Sequence, residues 1–166
     1  MQASPLTPAE YRIRPAVAAD MEGILVLDRA TESLPHWPEL EYATAIGQDP
    51  TVDKVNRNVF VAEFSSELIG LTVVSLVTIA GEIRSELESV AVAGYVRRLG
   101  IGLALCHQAI EWAQTHGAES MDLEVRSQSS GAITLYEGLG FVAAGRRAAY
   151  YRNPVDDAIL MRLTFT

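Results

Sequence analysis

Apolar and polar positions change their period several times along the chain. Tyr11 to Arg14 reads as a short strand, and from Asp20, a candidate cap, Met21, Ile24 and Leu25 fall at i, i+3, i+4 and predict a helix to about Ala30. The prolines of Ser33-Leu34-Pro35-His36-Trp37-Pro38-Glu39 end that helix, and a second is expected from Pro38 to Gly47. Phe60, Ala62 and Phe64 then share one face of a strand from Asn58 to Phe64. Ser65-Ser66 turns into a long strand, Leu68 to Ile79, and Gly81 into a third antiparallel run, Glu82 to Val92.

Beyond this meander Ile101, Leu105, Ala109 and Trp112 recur at i, i+4, i+8, i+11, predicting a helix from about Gly100 to His116-Gly117. Met121, Leu123 and Val125 alternate as a strand, so strand, helix and strand form a right-handed crossover between parallel neighbours. A helix over Gly131 to Leu139 stops at Gly140, and strands near Val142 to Tyr150 and Ala158 to Phe165 follow. The reading is a flexible leader at 1–9 and one α/β domain over 10–166, with no repeat or linker.

The length, 166 residues with 49% hydrophobic and 20% charged, suits a soluble globular domain that buries a full core. The single cysteine, Cys106, excludes an internal disulfide and favours a reducing cytoplasm. The first eight residues lack a signal-peptide pattern, and the run from Leu68 to Ala80 is too short and interrupted to span a bilayer, so no membrane partner is expected. A formal charge of -8 opposes direct nucleic-acid binding and suits a cationic acceptor. His36, His107 and His116 show no ligand spacing, and no metal is expected.

Chemistry concentrates at Val96-Arg97-Arg98-Leu99-Gly100-Ile101-Gly102-Leu103-Ala104, where the third strand of the meander gives way to the long helix. The first amides of a helix have no internal acceptor, glycines let an anion approach them, and arginines add charge. Neither a Walker A loop nor a complete dinucleotide fingerprint is present, and two glycines are also common in ordinary turns.

This stretch resembles the Q/R-x-x-G-x-G/A motif of the GNAT N-acetyltransferases, with Arg97, Gly100 and Gly102 at the matching positions. Downstream, "LEVR" followed by "LYEGLGF", and "YYRNPVDDAILM", are most similar to the RimI-type ribosomal-protein alanine N-acetyltransferases, a resemblance that runs from about Leu87 to Met161. It implies a GNAT fold: about seven strands, mostly antiparallel, splayed between two parallel strands and flanked by about four helices. It implies acetyl-CoA as acyl donor, its pyrophosphate held at Arg97, Arg98, Leu99, Gly100, Ile101, Gly102 and Ala104, and its pantetheine arm along Val90 and Val92. The acceptor implied is a peptide or protein N-terminus, such as an N-terminal Ala of a ribosomal small-subunit protein, and the assembly a monomer or homodimer.

By the same resemblance Glu124 is the general base and Tyr136 the acid that protonates the thiolate. Read without it, Glu124 is an ordinary strand carboxylate, and Tyr136 aligns with Ile133 and Leu139 as a core aromatic would. Glu86 and Glu88 share a strand face and stand as alternative bases or amine-binding groups; the resemblance places Trp37, Tyr150 and Tyr151 beside the acceptor, where the two tyrosines also read as ordinary strand aromatics. Ser129 stands where RimI-like chains usually carry Asn and offers fewer polar contacts to the cofactor, while His36 is an extra residue in the aromatic-proline segment bordering the peptide site. Acetylation of a small amine, or coenzyme binding without turnover, remain alternatives.

Overall fold

Thirteen consecutive residues, Glu67–Ile79, form the centre of a sheet covered on both sides, which is why this strand reads as nearly continuous apolar sequence. The computed structural model describes residues 10–32, 34–47, 56–97 and 99–166. In chain order these hold β1 (Arg12–Pro15), α1 (Met21–Ala30), α2 (Glu39–Ile46), β2 (Asn56–Phe64), β3 (Glu67–Ile79) and β4 (Glu82–Val92). After them come α3 (Ile101–Thr115), β5 (Ser120–Arg126), α4 (Ser130–Gly138), β6 (Val142–Tyr151) and β7 (Asp156–Thr164). The seven strands form one sheet in the order β1, β2, β3, β4, β5, β7, β6. Within it β4 and β5 run parallel and the other pairs antiparallel, the arrangement the crossover pattern predicts.

On one face α1 and α2 bury Ile24, Leu27, Tyr42 and Ala45 against Val59, Val61, Leu71 and Val73. On the other, Leu105, Cys106, Ala109 and Ala113 of α3 pack on β2, β3, β4 and β5. Gly70 permits this approach: a Cβ there would lie 2.9 Å from Leu105 Cδ1 and 3.1 Å from the Ala91 carbonyl oxygen.

Two irregularities shape the centre of the sheet. The register passes from Val73↔Ser89 to Val74↔Leu87, leaving Glu88 as an extra residue in β4. The resulting change of parity puts Leu87, Val90 and Val92 all with the α3-side clusters, while Ala91 joins α1 and α2. The second is that β4 and β5 pair only from Arg84↔Ser120 to Glu86↔Asp122, so beyond Glu86 they part and β4 has no strand partner on that edge.

Element boundaries depart from the sequence expectation by one or two residues, as expected where ends fray. The role of Asp20 differs in kind. It makes no side-chain cap at α1; it closes the 3-10 turn before it, Ala18–Asp20, by accepting from the Val17 N–H at 2.8 Å. Arg14 outbids the cap because its guanidinium takes both Asp20 oxygens, at 2.7 and 2.8 Å, while its Nε meets Glu63 Oε2 at 2.8 Å, joining β1, β2 and the turn. The leader at 1–9 lies outside the described residues, within which no helix is long and apolar enough to cross a membrane.

Adding the Cβ that α3 excludes should strain the core. Gly70→Ala is expected to lower unfolding free energy by roughly 1–3 kcal/mol, measured by denaturant titration. Arg14 depresses the pKa values of Asp20 and Glu63 through hydrogen bonds, so their contribution to stability is complete above the ordinary values of 3.8 and 4.5 and is lost as pH falls below them. Arg14→Ala should therefore flatten the acid limb of a stability-against-pH curve.

Candidate active site

Two clefts meet where β4 and β5 part. The first begins at the glycine turn. Val92 ends β4, and Gly100, in the left-handed conformation at φ 84°, reverses the chain into α3. Ala104 N–H donates to Gly100 O at 3.0 Å and closes the first helical turn, so the amides of Ile101, Gly102 and Leu103 precede any intrahelical acceptor. They border a cleft of about 330 Å³ between β4, the start of α3 and α4, whose wall includes Val90, Val92, Arg97, Ala132 and Leu135. A Cβ on Gly102 would reach 3.6 Å from Val92 and 3.8 Å from Leu135, filling space that its absence leaves open. Free amides beside an apolar slot suit a ligand with an anionic end and an uncharged arm, the chemistry of coenzyme A.

Ala104 itself does not line this cleft, because its amide is committed to the helix, and Leu99 packs with Val96 and Ile101 instead. Arg97 lines it and donates from Nε to Val92 O at 3.3 Å. Arg98 lies outside the described residues.

The second cleft, about 140 Å³, occupies the gap between the parted strands. Glu88, Ser89 and Val90 line it from β4, Glu124 and Arg126 from β5, Ser129 and Tyr136 from the α4 segment, with Tyr151 and Leu34 closing it. Val90, Ala132 and Tyr136 belong to both clefts and form the passage between them. A third hollow of about 510 Å³ continues outward past Arg126 and Ser129 toward His36, Asn153 and Asp156.

Alternation along β5 turns Leu123 and Val125 into the core and Glu124 away from them. Glu124 Oε1 stands 3.4 Å from Arg147 Nη1, and its hydrogen bond with Tyr150 pushes that phenol above its ordinary pKa. Tyr136 meets Phe141 edge to face at 5.9 Å; burial first, then Cys106 and Tyr151, raises its pKa, so the phenol stays protonated through neutral pH. Glu86 reaches solvent outside the cleft, yet partial desolvation and then Glu88, Glu124 and Asp122 raise its pKa. Glu88 is held by Arg57 at 2.8 and 3.1 Å.

Trp37 does not line the cleft either. Its ring stands behind it, 5.2 Å from the Arg57 guanidinium and 5.3 Å from Tyr42. Tyr150 packs edge to face on Tyr151 at 5.1 Å, and Tyr151 carries the Arg126 guanidinium at 4.3 Å. A cavity of about 650 Å³ lies elsewhere, between α1 and the β2–β3 turn; its Asp20 and Glu63 are already bound by Arg14.

Sequence reasoning placed Leu34 in the segment bordering the acceptor but missed Arg57, Ser89, Arg126 and Arg147 as members of this neighbourhood. Arg57 and Arg147 reach it through pairs with Glu88 and Glu124 that are distant in the chain, and no local pattern encodes such pairs. The small residues Gly131 and Ala132 at the start of α4 are the one local signal of close approach, since both line the first cleft.

Comparison with known proteins agrees with this geometry. The Acetyltransferase (GNAT) family model matches residues 24–141. The chain is 31% identical over 165 residues to an N-alpha-acetyltransferase of Sulfurisphaera tokodaii, covering 92% of each. It is 29% identical over 146 residues to the ribosomal protein bS18 alanine N-acetyltransferase of Escherichia coli, covering 87% of this chain and 90% of that one. The crystal structure of the Escherichia coli ribosomal-protein alanine N-acetyltransferase matches with TM-score 0.77 and 25% identity over 94% of both chains. A NatC complex bound to Gag peptide and CoA matches with TM-score 0.81 and 25% identity over 95% of this chain and 99% of that one. With the family match spanning most of the chain, and the splayed sheet and glycine turn in place, the protein belongs to the GNAT family and is an acetyltransferase.

Proposed function

We propose that the protein transfers the acetyl group of acetyl-CoA to the α-amino group of a peptide or protein N-terminus, an N-terminal Ala of a ribosomal small-subunit protein being the first acceptor to try. The observation that carries this is the passage at Val90, Ala132 and Tyr136, which joins an anion-compatible apolar slot to an acid-rich cleft. The N-alpha- and alanine-acetyltransferase relatives support the choice of acceptor. A cleft of about 140 Å³ suits a first residue with a small side chain.

In this reading the amides of Ile101, Gly102 and Leu103, with Arg97, hold the pyrophosphate, and the free edge of β4 at Val90 and Val92 receives the pantetheine arm as an added strand. The thioester supplies the acetyl group at the passage. Glu124 takes a proton from the acceptor amine, directly or through water, with Arg147 and Tyr150 fixing its carboxylate. Tyr136, kept protonated by burial, returns a proton to the departing sulfur. Glu86, protonated more readily than an ordinary carboxylate, is the second choice of base. Tyr151 walls the acceptor, and Ser129, with one hydroxyl, lines the second cleft and the outer hollow that continues from it.

Thiol release from acetyl-CoA should occur with an Ala-initiated basic peptide and not with its N-terminally blocked twin. Tyr136→Phe and Glu124→Gln are each expected to lower kcat by roughly 10²–10⁴, the usual worth of a general acid or base. No release above the blocked peptide would remove the peptide acceptor and direct the search to small amines. With the wild-type enzyme, kcat/KM should rise with pH toward the ordinary α-amino pKa of about 7.7–8.0, because the neutral amine is the nucleophile and Tyr136 does not ionise in that range.

A further inference from the structure

Asp28 lies in the last turn of α1 with its side chain fully buried. A carboxylate there faces the negative end of the helix dipole and loses its hydration, so two local terms oppose it. What holds it is unusual in being one-sided. Oδ2 accepts from the Tyr42 hydroxyl at 2.6 Å and the Trp37 N–H at 3.1 Å, and Arg29 Nη1 stands 3.4 Å from the same oxygen. Oδ1 has no hydrogen-bond partner among the described residues; His36 Nε2 is the nearest charged or polar side-chain group recorded, 3.9 Å away.

These partners lie beside Asp28 in α1, in the connection to α2, or in α2 itself. The same connection is pinned by Arg29 donating to Trp37 O at 2.9 Å, by Thr31 Oγ1 donating to Leu27 O at 2.8 Å, and by the His36 ring at 3.0 Å from Thr31 O. It reaches the acceptor cleft by two routes. Leu34 is buried and forms part of the cleft wall. Trp37 backs Arg57, which grips Glu88 on the opposite wall.

We propose that Asp28 is a positioning residue for the acceptor, its buried carboxylate fixing the α1–α2 connection so that Leu34 walls the cleft and Trp37 supports the Arg57–Glu88 pair. The choice of a peptide as acceptor rests on the function proposed above; the clamp itself does not. Asparagine at this position keeps one acceptor oxygen, loses the charge and places an N–H₂ group among donors.

The test compares Asp28→Asn with wild type in steady-state assays with the Ala-initiated peptide. Loss of a charge-assisted bond should raise the peptide KM by about tenfold and leave the acetyl-CoA KM within about twofold. Tyr42→Phe, which removes one of the two bonds to Oδ2, should raise the peptide KM by about threefold and carries the test if Asp28→Asn does not fold. The chain has two tryptophans, so a Trp112→Phe background isolates Trp37, whose quenching by acrylamide should increase when Asp28 is replaced. Peptide and acetyl-CoA KM values that rise together, or that stay unchanged, overturn the proposal, as does unaltered Trp37 quenching. If the wild type acetylates no peptide, the acceptor reading fails, and Trp37 quenching alone decides the clamp.

Discussion

The parting of β4 and β5 is the constraint on which the rest of this molecule depends. Three residue pairs bind the two strands before they diverge, and a backbone edge left open inside a sheet must be satisfied by something other than a strand. Divergence makes a cleft, and in the proposed reading a donor lying along α3 and α4 meets there an acceptor arriving from the α1 and α2 side.

Two backbone features aim residues at that cleft. Glu88, inserted as an extra residue, turns Val90 and Val92 to the α3 side, where both line the first cleft, while Glu88 itself faces Arg57. Gly100, at positive φ, starts α3 so that Ile101, Gly102 and Leu103 border the same cleft. Neither feature contributes a reactive group. Each changes where the groups on either side of it stand, which is why single substitutions in such positions act at a distance.

Charge is distributed with similar economy. Asp122, Glu86, Glu88 and Glu124 crowd one side of the splay, a field that draws a cationic amine but would repel itself without counterions. Arg57, Arg147 and Arg162 hold Glu88, Glu124 and Asp122 respectively, leaving Glu86 as the acid whose proton affinity rises. The buried Asp28 belongs to a different balance, in which a costly carboxylate is held by one donor from the α1–α2 connection and one from α2.

The chain's local order was legible from its sequence. Among the described residues, period-two and helical patterns located the strands and α-helices to within a residue or two, because each element must hide one face, and the switch at residue 100 disclosed the parallel crossover. The glycine turn could likewise be read from adjacent residues, since helix amides and missing Cβ atoms are local properties, and with the LEVR and LYEGLGF segments downstream it disclosed the family. What tertiary structure decided was pairing across long separations. Arg14 claiming Asp20 and Glu63, Arg57 meeting Glu88, Arg147 meeting Glu124, and Trp37 retreating behind Arg57 all depend on how elements dock. A side chain's periodicity tells which face it occupies, but its partner is fixed only when another element brings a complementary charge within hydrogen-bond range.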